Sequence, residues 1–458
     1  MTPTPEARTL DPRTARRRYA VVCALFWLPL GLAIAPMVSL MTERGLALAA
    51  VAACVAAHSL TAALLELPTG GLSDVIGRRA VLVAAGVLDL VALALHALGT
   101  TAWVLALAMV LKGAGRALSS GPAEAWYVDT VHASSGADAD LRTGLARGST
   151  ATAVALAAGT LVGGALPWLL GLGPDLGARL DEATSGLVLP LSVPALLGVL
   201  VELVFIAYVL TALPEPPRPR ATLRDVLRGV PAIVAAGLRL GGRDALVRRV
   251  LLSAGAAGAA LVTVELLTPG RTAELTGAPE SGAVVFAVLA CAGFLCSGLG
   301  SHLAPRVARL SGGGERAVLF CLGGAGVGLL LLAVTAAATG PAPLLLAAAG
   351  YGLVYLGLGA AGPSENDLLH RRVPSESRAT ALSVQSLALQ LIGAVTGLIA
   401  GLLPAGPARW LLGAVVLLAG AALWLRRGDR PAGPADPVAP TGPAERRAPV
   451  NSAPLAEG

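Results

Sequence analysis

The stretch GGLSDVIGRR, residues 70–79, joins two long apolar segments and holds three glycines, one acid and two arginines. Around it the chain is dominated by apolar runs. Of its 458 residues, 55% are apolar and only 14% are charged, about half the charged share of a soluble domain. Because about 20 helical apolar residues span a hydrocarbon core of about 30 Å, this composition excludes an ordinary water-soluble protein.

Twelve apolar runs decide the fold class. Lipid offers no hydrogen-bond partner to the backbone, and the runs lack the alternation of barrel strands, so we predict transmembrane helices. Predicted helices 1 to 12 cover residues 19–41, 46–68, 80–98, 101–121, 147–172, 187–213, 247–268, 282–303, 317–338, 341–361, 379–403 and 408–425. The sequence therefore predicts an all-α integral membrane protein that contacts the lipid bilayer.

Two internal echoes divide these helices into two sets of six. Gly121, Pro122 and Glu124, after predicted helix 4, recur 241 residues later as Gly362, Pro363 and Glu365. Gly71, Leu72 and Arg79 recur 227 residues later as Gly298, Leu299 and Arg306. A parallel duplication of six helices predicts two pseudo-symmetric bundles around a central site.

The domain boundaries follow from these runs and from shifts in composition. We predict an N-terminal tail at 1–17, a first bundle at 18–213, a proline-rich then basic central loop at 214–246, a second bundle at 247–427, and a disordered Pro/Ala/Gly-rich tail at 428–458. We expect the protein to be a monomer.

The arginines predict the orientation. If the N-terminus is cytoplasmic, most loop arginines lie inside and only Arg44, Arg179, Arg271 and Arg409 lie outside, as the positive-inside rule requires. Both termini are then cytoplasmic. The net charge of +6 follows from topology and implies no nucleic-acid partner. Abundant Arg, Ala, Gly and Pro, with Lys112 as the one lysine, indicate a GC-rich bacterial genome and hence a bacterial cytoplasmic membrane.

The stretch at 70–79, set between helices 2 and 3 of twelve, resembles the signature of the major facilitator superfamily over about residues 18–427. The residues that carry the resemblance are Gly70, Leu72, Asp74, Gly77, Arg78 and Arg79. The longer stretch ELPTGGLSDVIGRR is similar to bacterial drug-efflux members. The resemblance implies alternating access, with this loop latching the two halves in the outward-facing state.

The latch has three alternative partners for Asp74. They are the N-terminus of predicted helix 11, where Ser375 or Ser377 would be the cap, a nearby arginine, Arg142 or Arg378, and its own loop. Glu124 and Glu365 occupy equivalent repeat positions and are either a symmetric gate to neighbouring arginines or ordinary interfacial charges. The predicted gate comprises Gly70, Asp74, Gly77, Arg78, Arg79, Glu124, Glu365 and Arg378.

Seven ionisable residues within the predicted spans are candidate substrate or proton sites, because each costs about 2.5–3.5 kcal/mol at bilayer depth. They are His58, Asp89, His96, Lys112, Arg116, Glu202 and Glu265. A hairpin of helices 3 and 4 brings Asp89 and Lys112 to similar depth, as a pair or as close neighbours. The alternative for the Asp89–Lys112 pair is a buried, neutralised pair with no role in transport. Glu202 could instead extend to the membrane surface, and Glu265 could be hydrated near the outer end of its helix. His58 could be a hydrogen-bonded packing residue.

Lys112 and Arg116 are four residues apart and so lie on one helix face. The resemblance implies that helices 1, 4, 7 and 10 line a cavity, with Trp27, Tyr351 and Tyr355 as possible contacts. On helix 5, Gly159, Gly163 and Gly164 form a small-residue packing face. That face partly resembles the helix 5 pattern of antiporters, but Gly164 stands where the pattern has proline.

Several motifs are missing from the sequence. The five cysteines lack metal-ligand spacing, no Walker-type loop is present, and no catalytic constellation stands out. We therefore expect no metal, no cofactor and no enzymatic activity. The sequence favours a secondary active transporter for a small molecule, driven by protons and exporting hydrophobic or drug-like compounds. The alternatives are proton-coupled uptake of a small acidic solute and a transport-inactive membrane sensor or scaffold.

Overall fold

The computed structural model describes residues 10–69, 72–136, 138–215, 239, 242, 244–338, 340–373 and 378–425. The tail at 428–458, Gly70, Ser375, Ser377 and most of the central loop lie outside this part of the chain. Within it, twelve principal helices follow one another: α1 (Pro12–Ile34), α2 (Leu48–Thr69), α3 (Arg78–Leu98), α4 (Ala102–Ser119), α5 (Arg142–Leu170), α6 (Val193–Ala212), α7 (Ala245–Thr276), α8 (Pro279–Leu310), α9 (Gly314–Thr335), α10 (Pro341–Arg372), α11 (Arg378–Leu402) and α12 (Pro407–Ala422).

The predicted fold class is confirmed. In the described ranges, eleven helical segments are long and apolar enough to cross a membrane. The twelfth, α12, has 16 residues and is shorter than the others. At about 1.5 Å per residue it covers about 24 Å, so the turn that follows it up to Leu425 completes the predicted last span.

Three features differ from the predicted spans. The run at 19–41 is two helices, because α1 ends at Ile34 and a turn at Ala35 and Pro36 leads into the short helix Met37–Glu43. Another helix, Pro122–Ser135, follows α4 after a turn in which Gly121 has a φ of 98°. Finally, α7, α8 and α10 each have 32 residues, about 48 Å, and continue beyond the apolar runs.

The helix pairings repeat between the two halves. In the first half α1 packs on α5 and α6, while α4 packs on α2 and α3. The same pairs recur six helices later, since α7 packs on α11 and α12, and α10 packs on α8 and α9. The halves meet through α2 with α11 and α5 with α8, which are again equivalent pairs. The duplication read from short sequence echoes is therefore visible as packing.

We name two faces of the molecule. The N-side face contains the start of α1 and the connection from α2 to α3, and the far face contains the end of α1. An arginine fixes each half at the far face. Arg44 donates to the carbonyl oxygens of Gly186 (2.6 Å) and Ala97 (3.2 Å), and Arg271 donates to those of Thr335 (2.7 Å) and Ala338.

The two arginines are 227 residues apart, the offset of the second sequence echo, and they satisfy carbonyls at the ends of α3 and α9. A cation at a helix C-terminus also complements the helix dipole. Sequence reasoning assigned Arg44 and Arg271 only to the outer side. The shared offset was the signal that could have identified them as an equivalent pair.

Candidate functional site

A cavity of about 570 Å³ lies between the two halves. Its wall comes from both halves, and most of the residues that line it are apolar, among them Leu30, Val55, Leu261, Phe286 and Phe294. Near the N-side end of α4 the cavity reaches Arg116 and Ser120, which are exposed. The volume matches that of small-molecule sites, which span about 300–1,000 Å³.

Close helix packing seals the far face. A Cβ added at Gly401 on α11 would lie 2.9 Å from the Cβ of Ala52 on α2. One added at Gly164 on α5 would lie 2.4 Å from the Cβ of Ala287 on α8. Leu40, which is fully buried, packs in one apolar cluster with Ala283 of α8. The cavity is thus closed toward the far face in this conformation.

Two acids from opposite halves also lie within electrostatic range of each other at this seam. Glu43 belongs to the first half and Glu280 to the second. Partial burial, together with the negative charge of Glu280, raises the pKa of Glu43 above its usual value. The contact between the halves here is therefore less favourable when both carboxyl groups are ionised.

The packing glycines on α5 divide between two partners. The Cα atoms of Gly159 and Gly31 face each other, and a Cβ at either position would lie 3.0 Å from the other Cα atom. A Cβ at Gly163 would lie 2.1 Å from the carbonyl oxygen of Leu32. Gly159 and Gly163 thus seat α5 on α1, whereas Gly164 seats it on α8 of the other half.

The first-half wall of the cavity is basic. His58, Lys112 and Arg116 line it, and the Arg116 guanidinium lies 5.1 Å from the ring centroid of Trp27. This cation–π contact holds the guanidinium over the indole. No ion pair within 4.0 Å joins Lys112 or Arg116 to any described residue. The predicted shared face of Lys112 and Arg116 therefore points into the cavity.

A side cavity of about 90 Å³ adjoins this wall inside the first half. Asp89 of α3, Lys112 of α4 and Glu202 of α6 all line it, and Lys112 also lines the main cavity. Asp89 and Lys112 are therefore close neighbours, the second of the predicted arrangements, and not an ion pair. His58 and Arg116 line both cavities as well, so the two carboxyl groups adjoin the basic wall of the central space.

Glu202 is the most deeply buried of these groups. Its exposed fraction is 0%, and neither carboxyl oxygen has a hydrogen-bond partner among the described residues. Snorkelling to the membrane surface is thus excluded in this conformation. Holding an unpartnered charge in such surroundings is costly, so the site suits a group that exchanges between charged and neutral forms.

The second-half wall combines one acid with aromatic rings. Glu265 of α7 is exposed to the cavity, and its carboxyl group has no ion pair or hydrogen bond within the described chain. Tyr351 and Tyr355 of α10 stack with ring centroids 4.9 Å apart, and Glu265 lies within electrostatic range of both hydroxyls. Phe286 and Phe294 complete this wall.

One bridge across the cavity was missed by the sequence analysis. Ser386 of α11 donates a hydrogen bond of 3.0 Å to Glu66 of α2. It joins the two halves on the N-side of the cavity. Its two residues are 320 positions apart. Glu66 is the first residue of the stretch ELPTGGLSDVIGRR, but nothing in that stretch indicates Ser386, so only the packing of α2 on α11 reveals the bridge.

The loop arginines contact their own half. The backbone N–H groups of Arg78 and Arg79 donate to the Glu215 carboxylate at 2.9 and 3.1 Å, and the Arg78 side chain pairs with Asp129 at 3.0 Å. Gly77 supplies the turn before α3, with a φ of 102°. The side chain of Asp74 lies outside the described atoms, so its predicted latch partner stays a prediction.

The two repeat-related glutamates have different surroundings. Glu365 is 5% exposed and accepts a hydrogen bond of 2.5 Å from Ser253 of α7, whereas Glu124 is exposed. Neither glutamate forms an ion pair with an arginine in the described ranges. Arg378 likewise forms no ion pair with a described acid. A symmetric gate of Glu124 and Glu365 is thus not formed in this conformation, because Glu365 is turned into its own bundle.

This arrangement of two equivalent helical halves around a central cavity defines a multi-pass membrane protein of the transporter type. The family model of the Major Facilitator Superfamily matches residues 19–397. The chain belongs to this superfamily, as its loop motif predicted.

Solved structures show the same fold. The nucleoside transporter NupG is similar with a TM-score of 0.68 and 11% identity, covering 90% of this chain and 98% of that one. A D-xylose-proton symporter is similar with a TM-score of 0.67 and 16% identity, covering 89% of this chain and 97% of that one. A bacterial homologue of the iron transporter ferroportin, in an inward-facing state, is similar with a TM-score of 0.65 and 15% identity. The match covers 91% of this chain and 99% of that one. No curated protein matches the sequence.

Proposed function

We propose that this protein is a proton-coupled secondary transporter that exports small, partly hydrophobic compounds across a bacterial cytoplasmic membrane. It works as a monomer by alternating access, with the N-side face cytoplasmic. The observation that carries the proposal is the side cavity, in which the fully buried Glu202 lies with Asp89 and with Lys112, a residue that also lines the central cavity.

The side cavity supports proton coupling. Glu202 is buried without a hydrogen-bond partner among the described residues, so a proton relieves its charge, and Lys112 is a basic group that lines both this cavity and the main one. A compound in the main cavity acts on Lys112 and thereby on both carboxyl groups. Binding of compound and of proton are then linked through one side chain.

The main cavity supports the choice of compound. Apolar and aromatic side chains form most of its wall, which suits a solute that is partly hydrophobic. Its opening toward the N-side face supports loading from the cytoplasm. The solved structures of similar fold include a proton symporter, so the fold itself accommodates proton coupling in the uptake direction as well.

One observation favours a second candidate, the uptake of a small acidic solute. Lys112 and Arg116 face the cavity without an acidic partner within 4.0 Å in the described residues. They would attract a carboxylate or phosphate group. The two candidates differ in the direction in which protons move.

The sign of a pH change separates them. Everted membrane vesicles that contain the protein are loaded with a pH reporter. Compounds are then added outside without an imposed pH gradient. Export in exchange for protons makes the vesicle interior more alkaline, whereas proton-coupled uptake makes it more acidic. If neither hydrophobic nor acidic compounds change the internal pH beyond that of vesicles lacking the protein, proton-coupled transport is contradicted.

A further inference from the structure

The two walls of the main cavity carry opposite charge, and we propose that they select amphoteric solutes. An anionic group of the solute lies at Lys112 and Arg116, and a cationic group lies at Glu265. The inference rests on the proposed transport of small molecules and narrows the substrate class. It applies to either direction of transport.

The charged groups on the two walls have no ion-pair partner among the described residues. Lys112 and Arg116 form no ion pair within the described chain, and the carboxyl group of Glu265 has neither ion pair nor hydrogen bond there. By contrast, Glu66, the other acid of the cavity, accepts the hydrogen bond from Ser386. An unpaired charge in a membrane interior raises the free energy of the protein, and a bound solute of opposite charge lowers it again.

Lys112 and Glu265 lie on opposite walls of the cavity. Lys112 of α4 lines it from the first half, and Glu265 of α7 lines it from the second half. The two helices belong to opposite halves, and both residues line the same cavity. A solute in this cavity can therefore contact both residues while its middle part lies between the walls.

The side chains around each charge suit a solute group of the opposite sign. Tyr351, Tyr355, Phe286 and Phe294 line the cavity together with Glu265. Aromatic faces next to a carboxylate attract an ammonium group through cation–π and ionic interactions. On the other wall, a guanidinium and an ammonium group are donors for a carboxylate or phosphate. The apolar residues between them suit a hydrocarbon spacer.

Binding to matched probes tests this directly. The probes are the straight-chain ω-amino acids from aminohexanoate to aminodecanoate, each compared with the carboxylic acid and the amine of equal length. Half-saturating concentrations are measured from the rise in melting temperature of the purified protein. We expect one length to bind about tenfold or more tightly than both matched compounds, as a charge-assisted hydrogen bond provides.

The variants assign each charge. In Glu265→Gln the ω-amino acid should no longer bind more tightly than the carboxylic acid of equal length. In Lys112→Met the difference in affinity between the ω-amino acid and the amine of equal length should become smaller. Glu182→Gln, an exposed glutamate on the far-face helix Leu176–Ala183, should change neither. The proposal is overturned if no length exceeds its one-charged analogues, or if the advantage survives Glu265→Gln. Because binding is measured without vesicles, failure of proton-coupled transport would show separately, in the pH assay.

Discussion

Replacing Glu202 by glutamine is expected to abolish the compound-induced pH change in vesicles while the protein stays folded and still binds compounds. Glutamine keeps the shape of the side chain but cannot carry a transferable proton. Glu202 is fully buried beside Asp89 and Lys112, so no solvent group replaces it. The measurement is the internal pH response, read together with binding from the melting shift.

Stability provides a second signature of the same residue. Glu202→Leu replaces an unpartnered buried carboxyl group by a hydrocarbon of similar size and should stabilise the protein by about 1–3 kcal/mol. A residue retained for folding would show the opposite sign. Glu182→Gln is the matched control and should keep the full pH response. A full response in Glu202→Gln would remove this residue from the coupling mechanism.

The second large effect concerns the contact of α1 with α5. Gly163→Ala should destabilise the protein by about 1–3 kcal/mol or more and reduce the yield of folded material, because the added methyl group would lie 2.1 Å from the Leu32 carbonyl oxygen. Backbone atoms cannot turn aside as a flexible side chain can, so α1 must move away from α5. The measurement is the melting temperature of the purified protein.

The control is another helical glycine. Gly323 on α9 has no atom within 4 Å of the position that a Cβ would take. Gly323→Ala should be neutral or stabilise by up to about 1 kcal/mol, because alanine favours the helix. Equal melting temperatures for the two variants would show that the close α1–α5 contact does not limit stability.

The fold was predictable because the bilayer imposes one length and one polarity on every span. The predicted helix boundaries differ from the observed ones where local chemistry overrides hydropathy. Pro36 lacks an N–H group and follows the end of α1, so an apolar run of uniform hydropathy becomes two helices. Helices α7, α8 and α10 continue past their apolar runs, since the backbone keeps its hydrogen bonds at the polar interface.

The candidate site was predictable only in part. Helical spacing placed Lys112 and Arg116 on one face, and the α3–α4 hairpin brought Asp89 near Lys112. That Glu202 joins them depends on α6 packing on α3, which no short-range pattern specifies. Likewise the sequence showed three small residues on α5 but not that Gly164 contacts α8 while Gly159 and Gly163 contact α1.

The central claim is that the two halves separate at the far face to expose the cavity on that side. The Cβ of Ala52 lies 2.9 Å from the position of a Cβ at Gly401, so a small outward shift gives the separation of about 3.8 Å that a disulfide needs. The most direct test joins Ala52→Cys and Gly401→Cys in a protein whose native cysteines are replaced.

A third cysteine, Ser59→Cys in the main cavity, then reports access to a membrane-impermeant maleimide. We expect it to react from both sides of the membrane when the disulfide is reduced, and only from the N-side face when the disulfide is formed. Reaction from the far side with the disulfide intact, or from the N-side alone in the reduced protein, would contradict alternating access by these two halves.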